Sequence, residues 1–136
     1  MPVLPEYAYT QVMEETALTH ETDDFYTRIV PIHSYTQVML AYDVTVGLTG
    51  GSTPGVKFTL EADVSGDRTW VEVTTLQTTD NGYVAAAPTD PTITSTGKAY
   101  RYYGSLLGVN LRIKVEVTGS PTGGTATVNS VYLVAE

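Results

Sequence analysis

The stretch Val56-Lys57-Phe58-Thr59-Leu60-Glu61-Ala62-Asp63-Val64 separates without exception into apolar even positions and polar odd ones. That is the period of a strand with one face on a core and the other in water. Ser65-Gly66-Asp67-Arg68 follows with turn-forming residues, and Thr69-Trp70-Val71-Glu72-Val73-Thr74 resumes the alternation, so residues 55–75 read as a β-hairpin. Its even positions predict a core that includes Phe58 and Leu60, with Val71 on the returning strand. The same parity sends Glu61, Asp63 and Glu72 to the solvent side.

Outward from this hairpin the period persists. Val38, Leu40, Tyr42, Val44 and Val46 share one side of a strand against Met39, Ala41, Asp43 and Thr45, and the stretch from Gly47 to Gly55, with its further glycines and Pro54, ends it. Leu111, Ile113, Val115 and Val117 alternate with Arg112, Lys114 and Glu116, and residues 119–124 turn the chain into a last strand over about 125–134. Leu111, Ile113 and Val115 therefore join the predicted core. Weaker strands are expected at 7–13, at 25–32 up to the interruption by Pro31, and at 98–103. The stretch 77–97, carrying Asp80-Asn81-Gly82, Pro88 and Asp90-Pro91, reads as a long connection of the kind that carries binding on a β scaffold. About eight strands separated by turns predict an all-β fold, a two-sheet β-sandwich of jelly-roll type.

Composition agrees. Of the 136 residues, 23 are Thr, 17 Val and 4 Ile, and β-branched side chains suit a pleated, half-buried surface better than a helix. A domain of this length buries roughly 65–70% of the surface its unfolded chain exposes, so it needs no disulfide or structural metal. With no cysteine, disulfide scaffolds, thiolate metal sites and cysteine nucleophiles are excluded. Fifteen acidic residues against seven basic ones, a net charge of −8, argue against nucleic acid and against anionic membranes, both of which are bound through basic patches. No apolar run reaches the ~18–20 residues of a membrane span, and the N-terminus lacks a basic and hydrophobic leader.

Residues 1–34 differ from the remainder, 35–136, which reads as the sandwich. They hold three of the seven prolines and five acidic residues between Glu14 and Asp24, and they read as an N-terminal arm or outer strands. With too little continuous patterning for a core of its own, the arm needs a surface for Leu4, Tyr7, Tyr9, Val12, Phe25 and Tyr26, and these are the candidate partner contacts. Removal of residues 1–24 should on this reading leave a folded sandwich. Tyr9-Thr10-Gln11-Val12-Met13 recurs 26 residues later as Tyr35-Thr36-Gln37-Val38-Met39, without the further copies that a repeat architecture needs.

The search for catalytic chemistry finds little. His20 and His33 have no metal-ligand spacing around them and read as a loop residue and a structural residue. No serine lies in a nucleophile-elbow pattern, and Asp43, Glu61, Asp63 and Glu72 fall on outward faces, where solubility accounts for them. Asp23-Asp24, Asp67 and Asp80 could offer oxygens to calcium, yet none forms an EF-hand loop, and turn formation accounts for Asp67 and Asp80. No catalytic residue, cofactor or metal is expected. Aromatics are the better candidates. Tyr100-Arg101-Tyr102-Tyr103 puts Tyr100 and Tyr102 on one side of a strand and Tyr103 on the other, so Trp70, Tyr102 and Tyr103 form an alternative aromatic surface able to stack on a sugar or anchor an interface.

The order of three features, the alternating Phe58-Thr59-Leu60-Glu61-Ala62, the turn Ser65-Gly66-Asp67-Arg68-Thr69-Trp70, and the late Leu111-Arg112-Ile113-Lys114-Val115, resembles small β-sandwich structural proteins of tailed bacteriophages. The likeness is particularly to the decoration or cement proteins that bind the outside of a capsid. It covers about residues 55–136, and carbohydrate-binding sandwiches share the same hairpin grammar. The resemblance implies a non-enzymatic virion protein on the capsid exterior. Its partners would be the major capsid protein and further copies of itself, most simply as a trimer. A carbohydrate-binding module and a tail or baseplate component are the alternatives.

Overall fold

The structure, a computed structural model, describes residues 8–31, 37–63, 66–73, 75–79, 82–86, 92–105 and 110–135. Among the described residues thirteen strands follow one another: β1 (Ala8–Met13), β2 (Thr16–Thr19), β3 (Phe25–Tyr26), β4 (Val30–Pro31), β5 (Gln37–Thr49), β6 (Gly55–Asp63), β7 (Trp70–Glu72), β8 (Thr75–Thr79), β9 (Gly82–Ala86), β10 (Thr92–Ile93), β11 (Gly97–Ser105), β12 (Asn110–Thr118) and β13 (Gly123–Ala135). The first sheet runs β1-β13-β5-β11, with β2 also on β13; the second runs β10-β6-β12-β3, with β4 also on β12 and β7 on β6. Strands β8 and β9 pair only with each other. Short strands that share an edge fill single positions, which leaves eight positions in the orders 1-8-3-6 and 2-7-4-5. Those two interleaved antiparallel sheets make an all-β sandwich of jelly-roll topology.

The predicted faces meet between the sheets. Leu18, Leu40, Val44, Val128 and Val131 from the first sheet and Val56, Phe58, Leu60, Leu111 and Ile113 from the second have no measurable exposure and belong to one core. The Tyr42 and Phe58 rings, 5.7 Å between centroids, tie the two layers together. Each such aliphatic side chain contributes about 1.5–3 kcal/mol through its removal from water.

Four expectations need correction. Val71 is 47% exposed, while Val73 is buried and its N–H donates to the Leu60 carbonyl. Strand β7 is a three-residue edge strand, and Val73, just past its end, is the residue that reaches the core. Of the two readings of the N-terminal stretch, arm or outer strands, residues 8–31 are outer strands: β1 and β2 extend the first sheet and β3 and β4 the second, with Val12, Met13 and Leu18 in the core. Deletion of residues 1–24 would therefore strip one sheet of an edge and the core of three side chains. The expected strand over 25–32 is two short ones, separated where Thr27 bonds to Ile113 through its backbone N–H and its hydroxyl. The expected connection over 77–97 contains β9 and β10 and the end of β8.

The described parts of the two pentapeptide copies flank the same strand. Tyr9 of β1 and Met39 of β5 both sit opposite Val134, on either side of β13. The reversal from β12 into β13 packs against the loop between β5 and β6, with Ser52 N–H on the Gly119 carbonyl at 2.8 Å and Thr122 N–H on the Thr49 carbonyl at 2.9 Å. Gly119 has φ +83°, and a Cβ there would lie 2.7 Å from the Ser52 carbonyl oxygen, so both backbone conformation and space require glycine.

Truncation separates the two kinds of apolar residue. Leu60→Ala or Ile113→Ala should cost about 2–5 kcal/mol, whereas Val71→Ala should stay within about 0.5 kcal/mol. Urea denaturation midpoints of the three variants check this.

Candidate functional site

Both outer faces carry side-chain clusters built by cross-strand register. On the second sheet, Glu61 lies opposite Arg112 on one side and Glu72 on the other, and Asp63 opposite Asn110 and Trp70. Arg112 Nε donates to Glu61 Oε1 at 2.8 Å, with only 20% and 16% of the two side chains exposed. Its guanidinium lies 3.7 Å from the Tyr26 ring centroid and 4.3 Å from that of Trp70. A planar cation between two rings gains from both quadrupoles while its N–H fork stays free for a carboxylate. Lys114 beside it meets Glu116 at 3.7 Å and Asp24 at 3.8 Å. Glu116 first and Asp24 after it hold its pKa above the usual 10.5, against the opposing effect of desolvation.

Asp63 is where the alternation misleads. It is fully buried, not solvent-facing, because the chain beyond it folds back over the carboxylate. Oδ1 accepts from Gly66 N–H at 2.8 Å, and Oδ2 from Arg68 N–H at 3.1 Å and from Asn110 Nδ2 at 3.4 Å. The turn places Gly66 at φ +81° and Arg68 at φ +68°. The left-handed conformation at Arg68 costs roughly 1–2 kcal/mol, and charge-assisted bonds to a buried carboxylate offset it. Asp63 is thus a structural clamp on the turn that leads into Trp70.

On the first sheet, Ala41 of β5 has Tyr100 of β11 directly opposite on one side and Tyr132 of β13 on the other. The small residue between two large ones leaves a trough, a depression of about 370 Å³ whose lining also includes Met39, Asp43, Lys98 and Ser130. Tyr100 is 70% and Tyr132 37% exposed. Asp43 sits at one end, its Oδ1 accepting from Asn129 Nδ2 at 3.2 Å and its Oδ2 4.0 Å from Lys98 Nζ. Asn129 Nδ2 also donates to Thr45 Oγ1 at 3.1 Å, which fixes the amide against β5. A second depression, about 360 Å³, lies along residues 10–14 and Arg28.

The residues singled out from sequence do not converge. Leu4 and Tyr7 lie outside the described residues, as does the side chain of Tyr9. Val12 is buried in the core and Phe25 packs against it, so neither is free to meet a partner as expected. Tyr26 is half-exposed, under Arg112. Trp70 and Tyr103 do not form one surface: Trp70 stands on the outer face of the second sheet and Tyr103 is 2% exposed in the core. Tyr103 turns inward at the register shift between Tyr102 and Gly104, and the side chain of Tyr102 lies outside the described residues. His20 is a loop residue 3.7 Å from Glu21; His33 and Asp80 lie outside the described residues. Among the described residues no group of three or more His, Asp or Glu side chains is placed to hold a metal ion. Tyr132, missed in sequence, could have been found from alternation, since Val131 and Leu133 face the core. No protein-family model and no curated protein matches the chain.

Loss of the clamp has a measurable cost. Asp63→Ala leaves the buried end of Asn110 and the turn N–H groups without their acceptor and should destabilise the fold by about 1–3 kcal/mol. Glu72→Ala, at an exposed position on the same sheet, should change it by no more than about 0.5 kcal/mol. Chemical denaturation of both variants reads the difference.

Proposed function

We propose that this chain is a structural virion protein of the decoration or cement type, which binds the outside of a tailed-phage capsid and stabilises the lattice where subunits meet. The observation that carries this reading is spatial. The three stretches on which the resemblance rests, within residues 58–62, 65–70 and 111–115, supply the neighbouring strands β6, β7 and β12. Arg112 links all three through Glu61 and the Trp70 ring. They form one side of a jelly roll, so the likeness follows a contiguous structural unit.

The physical role is one of binding. A protein that binds the assembled shell but not its separated subunits stabilises the shell by mass action, and repetition over the lattice, or association of copies as trimers, raises retention through effective concentration. The major capsid protein is the partner this implies; nucleic acid and membrane are not, given the −8 charge. The contact element in this proposal is the N-terminal stretch ahead of β1, with Leu4 and Tyr7 among Pro2 and Pro5. Val12 lies in the core and Phe25 packs against it, so the proposal draws on Leu4 and Tyr7 from the remaining expected contacts.

Electron microscopy of particles from the source should show a jelly-roll-sized density at subunit junctions on the outer surface of the shell. Density confined to the tail would exclude the decoration role. A variant that lacks residues 2–7 and keeps the far-UV circular-dichroism spectrum of the full chain should no longer co-sediment with shells, while unchanged occupancy would place the contact elsewhere.

A further inference from the structure

The trough on the first sheet has a chemistry that capsid docking does not use. Its walls, Tyr100 and Tyr132, stand one strand away from Ala41 on either side, which separates their backbones by roughly 9–10 Å. Two van der Waals contacts of about 4 Å each fit a single flat ring into a gap of that width. Its volume, about 370 Å³, is at the small end of the range for small-molecule sites. At one end the Asp43 carboxylate is already oriented by Asn129. A carboxylate has about four lone-pair positions, so it can still accept from a ligand, and the Ser130 hydroxyl beside it can donate or accept.

These features select among ligands. An acceptor-only carboxylate calls for hydroxyl or cationic donors, and Lys98 Nζ, 4.0 Å from Asp43 Oδ2, supplies the cation in place. Neutral hydroxyl donors remain. Aromatic walls call for an apolar C–H surface on the same molecule, and a chain charge of −8 repels anionic ligands. We infer that the trough between Tyr100 and Tyr132 binds a neutral saccharide, one pyranose ring lying over Ala41 with its C–H faces on the tyrosines and its hydroxyls on Asp43 and Ser130.

The test is a titration of the isotope-labelled full chain, followed by NMR, with glucose, galactose, mannose, N-acetylglucosamine and their short oligomers, and with sialyllactose as the anionic comparison. At least one neutral sugar should give saturable shifts at the amides of Ala41, Asp43, Tyr100 and Tyr132, with the Trp70 indole on the opposite sheet unmoved. Tyr100→Ala, which removes a side chain that is 70% exposed and so leaves the fold intact, should raise the dissociation constant roughly 2- to 10-fold; Asp43→Asn should raise it as well. Absence of saturable shifts with every neutral sugar, binding of sialyllactose alone, or binding unchanged in both variants would overturn the proposal. Shell binding enters none of these readouts.

Discussion

The last strand organises the structure. β13 lies between β5, which it pairs from Gly123 opposite Thr49 to Ala135 opposite Val38, and the N-terminal strands β1 and β2 on its other edge. The first sheet is therefore incomplete until β13 arrives, and β1 and β2, early in the sequence, are fixed to this late strand. Non-local pairing of this kind carries a loop-closure cost before any contact compensates for it, which makes jelly rolls slow folders relative to helical proteins. It also places Val128, Val131 and Leu133 in the core.

The same register produces the outer surfaces. Because partners directly across strands share a face, β13 brings Tyr132 beside Ala41 and β11 brings Tyr100 to the other side, although these residues are far apart in sequence. On the second sheet, β6 and β12 bring Glu61 beside Arg112, and the edge strands β3 and β7 add the Tyr26 and Trp70 rings. On that face Arg112 is paired with Glu61 and Lys114 with Glu116 and Asp24, whereas the first sheet leaves an open depression. The proposed shell contact and the proposed saccharide site thus rest on different residues of one chain, and each is argued from its own chemistry.

Much of the fold was legible where alternation is strict and the strand pairs along its whole length with one long neighbour, as β6 and β12 do with each other. Phe58, Leu60, Leu111, Ile113 and Val115 lie in the core as their parity predicts. Parity failed at ends and edges. Val71 has inward parity but belongs to a three-residue edge strand, and Asp63 has outward parity but is covered by its own turn. The outward candidates failed for another reason: a surface site depends on which strands become neighbours, and local period carries no information about that. Tyr103 stands out in sequence as an aromatic within a strand and Trp70 as one that follows a turn, yet the trough arises from the small Ala41 between tyrosines of two remote strands.

Native-state hydrogen exchange tests the role of β13 most directly. If this strand holds the first sheet together, the inner amides of β13 and β5 should exchange only through global unfolding, with the same free energy as those of β6 and β12. The short edge strands β3, β4, β7 and β10 should open at much lower cost. Exchange of β13 through a local opening well below the global value, with β5, β6 and β12 still protected, would contradict it.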